Sequence, residues 1–121
     1  MRAGGPTQRQ LRVGEVVRRA LSDVLMRGDL HGADLSGLSI TVGEVRVSPD
    51  LRHAVVYVMP LGGRERERTL SELTRARGEL RHLLTRAMET KTVPELRFEI
   101  DESFDRIEET ERMFRGIRAE D

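Results

Sequence analysis

Apolar residues recur at three- and four-residue steps in two stretches of the chain. Val13, Val17, Ala20, Leu21, Val24 and Leu25 make one stripe. Leu70, Leu73, Ala76, Leu80, Leu83, Leu84 and Ala87 make the other. Each spacing is one face of an amphipathic helix. The first stripe predicts a helix over residues 8–27. Thr7 is placed to cap it, with Gln10 three residues on to complete a capping box. Gly28 suits the position just past its end, where a positive φ is needed. The second helical region begins near Arg64 and stops before residues 90–94, since the residue before Pro94 avoids the α region. Gly78 falls inside it, where glycine costs roughly 1 kcal/mol relative to alanine. Residues 64–89 are therefore one helix that tolerates a glycine, or two helices meeting at Ala76-Arg77-Gly78. The flanking elements favour two. Gly78 would then hold a positive φ or let the second helix pack closely on the first.

Between and after the helices the period changes to two. Ile40 and Val42 share one parity, Val45 and Val47 the other, so a first strand over residues 40–47 needs a β-bulge at Gly43-Glu44. Ser48-Pro49-Asp50 is a turn. Residues 53–59 return as the second strand of an antiparallel hairpin, with Ala54, Val56 and Val58 toward the core and Val55, Tyr57 and Met59 the other way. Pro60 ends it. Leu96, Phe98 and Ile100 alternate with Arg97, Glu99 and Asp101, a third strand with one buried face. A last helix over residues 102–118 carries a thin stripe of Phe104, Ile107, Phe114 and Ile117 and is expected to dock only partly.

The chain of 121 residues suffices for one core. The expected division is a flexible leader (1–6), a domain (7–101) and an acidic, partly helical extension (102–121). No apolar run is long enough to cross a membrane, and the first residues lack an apolar signal core, so a cytoplasmic protein is expected. The absence of cysteine excludes disulfides and thiolate chemistry. The net charge of zero is unevenly spread. Residues 1–28 carry six arginines against two acids, and residues 63–97 nine basic against six acidic side chains. Residues 98–121 carry four arginines against nine acids. Both basic segments are helical by pattern, and all basic residues but Lys91 are arginines, whose planar fork suits phosphate. A solvated charged helix face has the same composition.

Catalytic patterns are missing. His31, His53 and His82 have no nucleophile or acid at a recognisable spacing, and Gly62-Gly63 lacks the Lys-Ser/Thr of a phosphate loop. Asp29, His31 and Asp34 match no known metal pattern. A small metal-dependent hydrolase would rest on that loop alone.

The order α-β-β-α-α-β, with a three-stranded mixed sheet and helices on one face, is that of an α+β, type II KH-like domain. Standard KH domains clamp nucleic-acid backbone with a Gly-x-x-Gly loop between the paired helices. Ala76-Arg77-Gly78 stands there instead, a helix kink in place of that loop. With this joint, Val45-Arg46-Val47-Ser48-Pro49-Asp50-Leu51-Arg52-His53-Ala54, Val56-Tyr57-Val58 and Thr92-Val93-Pro94-Glu95-Leu96-Arg97-Phe98 occur in order, and the chain resembles the ribosome-binding factor A family from about Val13 to Glu102. The resemblance implies binding to immature small ribosomal subunits and their ribosomal RNA, support of late subunit assembly and RNA maturation, and no catalytic centre, metal or cofactor. The basic helices make Arg9, Arg12, Arg18, Arg19, Arg75, Arg77, Arg81, Arg86 and Lys91 the candidate RNA-binding residues of a monomer. With Tyr57 the one aromatic on an open sheet face, recognition through backbone and shape is expected rather than through base stacking. The alternative is an adaptor that recruits a basic partner through the acidic C-terminal helix.

Overall fold

The computed structural model describes residues 5–28, 30–88 and 93–120, with backbone only for residues 104–108 and 117–120. Its elements are α1 (Gln8–Arg27), β1 (Ile40–Val47), β2 (His53–Pro60), a 3-10 turn (Leu61–Gly63), α2 (Arg66–Arg75), α3 (Arg77–Ala87), β3 (Glu95–Ile100) and α4 (Ser103–Glu120). The sheet runs β1-β2-β3, antiparallel between β1 and β2 and parallel between β2 and β3. This is the mixed-sheet, KH-like α+β order that the periodicities predict.

The capping box at α1 is formed. The Gln10 amide N–H donates to Thr7 Oγ1 at 3.1 Å, and the Thr7 N–H donates to Gln10 Oε1 at 2.9 Å. Gly28 ends the helix at φ 71°, its N–H donating to the carbonyl of Val24. Gln10 has a second role that its position does not reveal. It is buried, and Nε2 donates to the Val47 carbonyl at 2.8 Å, tying the start of α1 to the end of β1. Further along α1, a Cβ on Gly14 would lie 2.8 Å from the carbonyl oxygen of Val45. A glycine there lets the helix lie directly against the strand backbone.

The bulge falls where the parity slip puts it, with register shifting between Val42 and Glu44. Val42 and Val47 can therefore both be buried on the face that α1–α3 cover. Val17 and Leu21 of α1 meet Ala54, Val56 and Val58 of β2, Leu96 and Phe98 of β3, and Leu73, Ala76, Leu80 and Leu84 from α2 and α3. Leu21, Leu73, Leu80 and Leu84 are fully buried, each worth about 1.5–3 kcal/mol relative to exposure.

Three details depart from the sequence pattern. Ala87 is exposed, and Met88 takes the inward position at the end of α3. Met59, expected on the open face, is buried, while Val55 and Tyr57 are half-buried. The helical region after the hairpin starts at Arg66, later than expected, because Gly62 and Gly63 form a turn and Glu65 takes a left-handed conformation (φ 53°).

At the C-terminus, Asp101 Oδ1 accepts from the Ser103 N–H at 3.0 Å and from Ser103 Oγ at 2.5 Å, closing the entry to α4. Every described side chain of α4 after that entry, residues 109–116, is exposed, including Met113 and Phe114. The rest of the predicted stripe, Phe104, Ile107 and Ile117, lies outside the described side chains.

Candidate nucleic-acid interface

The two-helix arrangement is present, and Ala76 is its joint. α2 ends at Arg75 and α3 begins at Arg77, with Ala76 between them at φ −87°, ψ 5°. Ala76 closes one helix and opens the next, its N–H donating to Glu72 O at 3.0 Å and its carbonyl accepting from the Leu80 N–H at 2.8 Å. Ala76 is 1% exposed, so its small side chain lets the chain turn while packed on the core. The expectation for Gly78 is corrected. It holds no positive φ, and nothing lies within 4 Å of where its Cβ would be. The second helix does not press on it, because the turn is made two residues earlier by an alanine facing inward.

What Gly78 provides is bare backbone on the outside. With Arg77 and Arg81 it lines a shallow cleft whose other wall is Glu95 and Leu96 at the start of β3. Arg77 is exposed and makes no ion pair among the described residues. Arg81 donates through Nε and Nη2 to the Val93 carbonyl at 3.3 and 3.1 Å. The first amides of α3 lie at the same place, where a helix dipole favours an anion. Two guanidinium groups beside uncovered backbone offer donors to a phosphate, with the Glu95 carboxylate on the facing wall.

The other predicted residues are spread out. Arg75 is exposed and pairs with Glu72 at 3.3 Å, and Arg86 is exposed on α3. Lys91 lies outside the described residues. On α1, Arg9 and Arg12 are exposed without ion pairs among the described residues, whereas Arg18 and Arg19 both converge on Glu15. Arg18 makes a two-point fork, Nε to Oε2 at 2.9 Å and Nη2 to Oε1 at 2.6 Å. Its hydrogen bond is the main reason the Glu15 carboxyl falls to about 2. Arg18 also borders a surface hollow with Thr41 and Val42 of β1. β1 and β3 are opposite edges of the sheet, so Arg18 and the Arg77–Arg81 cleft belong to different sides of the domain.

One cluster at this joint has no signature in the sequence. The loop after α1 crosses to α2 and α3 and is held by their side chains. Glu79 accepts the His31 N–H at 2.9 and 3.0 Å through its two oxygens and the Gly32 N–H at 2.7 Å, with His31 Nδ1 3.1 Å away. Glu72 accepts the Asp34 N–H at 2.7 Å. Arg68 Nη2 donates to the carbonyls of Asp34 at 3.1 Å and Ser36 at 2.9 Å. The loop amides, His31 first, hold the Glu79 carboxyl below the usual glutamate range. Glutamates at these spacings read as solvent-facing helix residues, because the partner is a loop some 40–50 positions away. His31 and Asp34 are engaged in this bonding, with Asp34 also accepting from Ser36 N and Oγ. Asp29, the third residue of the metal alternative, lies outside the described residues. Tyr57 is half-buried, with the Arg46 guanidinium 5.3 Å from its ring centroid, so that ring face is already occupied.

The family model described as Ribosome-binding factor A matches residues 9–114. A ribosome-binding factor A of Cereibacter sphaeroides is 61% identical over 110 residues, covering 91% of this chain and 79% of its own length. That of Paracoccus denitrificans is 60% identical over 115 residues, covering 95% and 83%. Among solved structures, the crystal structure of ribosome-binding factor A from Thermus thermophilus is similar at a TM-score of 0.62 and 28% identity, over 75% of this chain and 94% of that one. A Thermus thermophilus homology model fitted into the cryo-EM map of a complex with the 30S subunit is similar at a TM-score of 0.63 and 28% identity, over 77% and 96%. With a family model spanning most of its length, and relatives about 60% identical over nine-tenths of it, the chain belongs to the ribosome-binding factor A family.

Proposed function

We propose that this protein binds immature small ribosomal subunits, contacts their ribosomal RNA through the cleft at the α2–α3 joint, and promotes late assembly and RNA maturation. The reading rests above all on the similarity to the Thermus thermophilus protein fitted into a 30S complex. The cleft supplies the chemistry: Arg77 and Arg81 for phosphate, Gly78 for close approach of a nucleic-acid backbone. Arg75 and Arg86 extend the basic surface along α2 and α3, and Lys91 adds a cation before β3. Arg9, Arg12, Arg18 and Arg19 form a second contact region on α1. The protein acts by binding, as a cytoplasmic monomer without a catalytic centre. No helix among the described residues is long and apolar enough to cross a membrane.

Sedimentation tests the proposal. The protein should travel with free small subunits and not with complete ribosomes, since an assembly factor must leave before the subunits join. Equal occupancy of both particles, or of neither, would overturn it.

A further inference from the structure

Glu72 and Glu79 stand on opposite sides of Ala76, one in α2 and one in α3, and both accept amide protons from the same loop. Their ligands, the N–H groups of His31, Gly32 and Asp34, lie within four residues of each other. The segment between them is short and is further held by Arg68 on the carbonyls of Asp34 and Ser36. A short loop bonded to two helices restrains the angle between them, in addition to the core packing of Leu73, Leu80 and Leu84. The joint itself restrains it only through the bridge-region backbone of Ala76 and the burial of a single methyl group.

We infer that Glu79, with Glu72, is a positioning residue: the loop strapped across the joint sets the angle between α2 and α3 and thereby the placement of Arg77 and Arg81 for RNA phosphate. This rests on the proposed function and deepens it. The strap reaches α2 and α3 from the α1 loop, and the cleft opens toward β3. Glu79 thus acts on the RNA site through the helix rather than by contact. Its charge separates this role from a simple electrostatic one. A carboxylate two residues from Arg77 and Arg81 weakens phosphate binding by like-charge repulsion. Removing it should tighten binding if charge were its whole effect. If it positions the helix, removal weakens binding.

Gly32 supports the assignment. A Cβ there would lie 3.2 Å from Glu79 Oε1, tighter than an ordinary contact, so the carboxylate comes closer to the loop than most side chains would leave room for. Glu79→Gln keeps one acceptor oxygen and should retain part of the strap. Glu79→Ala keeps none.

The test uses the full chain, which has no cysteine and so accepts a clean pair of spin labels. Ser71→Cys and Thr85→Cys place labels on exposed positions of α2 and α3. Label separation and affinity for purified free small subunits are measured for the wild type, Glu79→Gln and Glu79→Ala, well below each melting temperature and at one salt concentration. Glu79→Ala should shift or broaden the label distance and weaken binding by about two- to tenfold, with Glu79→Gln between it and the wild type. Should Glu79→Ala not fold, Glu79→Gln and Glu72→Gln carry the same comparison. An unshifted distance, or affinity equal to or tighter than wild type, overturns the inference alone. A wild-type chain that does not bind small subunits overturns the proposed function, and the inference with it.

Discussion

Arg81 on α3 donates two hydrogen bonds to the carbonyl of Val93, just before β3. The same guanidinium borders the cleft at the α2–α3 joint. One side chain therefore both ties α3 to the approach of β3 and faces the candidate RNA site, with Nη1 unused among the described residues. Its neighbour Arg77 borders the same cleft and makes no ion pair among the described residues.

That difference separates two variants. Arg77→Ala should leave stability within about 0.5 kcal/mol of wild type and weaken RNA binding about equally across sequences, lowering the salt slope by about 0.7–0.9. Arg81→Ala should do the same to binding and also cost roughly 1 kcal/mol of stability through the lost hydrogen bonds. Denaturant unfolding and a salt titration of binding read both quantities. A changed sequence preference with an unchanged slope would mean that these arginines read bases.

Gly78→Ala should not destabilise the protein. Its backbone is helical and its surroundings are empty, so alanine should gain up to about 0.5–1 kcal/mol from helix propensity and reduced unfolded-state freedom. Affinity for small subunits should nevertheless fall, since the added methyl group stands where a backbone would approach. A variant more stable and equally tight in binding would remove Gly78 from the interface.

Gly14→Ala should behave oppositely. Helix propensity favours it, but its Cβ would press on the Val45 carbonyl, a backbone atom in a paired strand. The net effect should be a loss of about 1–3 kcal/mol, read as a lower melting temperature.

Deleting residues 103–121 should leave a cooperative thermal transition. The sheet is complete at Ile100, and the described side chains of α4 beyond its first turn are exposed. Loss of the transition would mean that the first turn of α4 completes the core.

The stability that Glu79 contributes should depend on pH in one direction. Its pKa is lowered in the folded protein by the His31 and Gly32 amides. Its contribution is therefore full above the ordinary glutamate pKa and fades as pH falls toward the lowered folded value. Wild type and Glu79→Gln should differ in melting temperature near neutrality and converge in acid. A gap that stays constant down to low pH would show that the carboxylate charge is not what the loop binds.

The sequence by itself determined the elements and their order. Capping at Thr7 and Gln10, termination at Gly28, the slip in strand parity at Gly43-Glu44 and the alternation of Leu96 and Phe98 are local rules, satisfied by neighbours within a few residues. They also placed a joint at Ala76-Arg77-Gly78 and arginines around it. Tertiary structure decided which residue makes the joint, which guanidinium groups are free and which loop holds the helices. Ala76, not Gly78, turns the chain, because the choice depends on which side chain faces the core. Arg18 and Arg81 are engaged while Arg9 and Arg77 make no ion pair among the described residues, because each partner is set by packing as well as by spacing. Glu79 meets His31 only across 48 positions, and a contact of that range has no period in the chain to announce it.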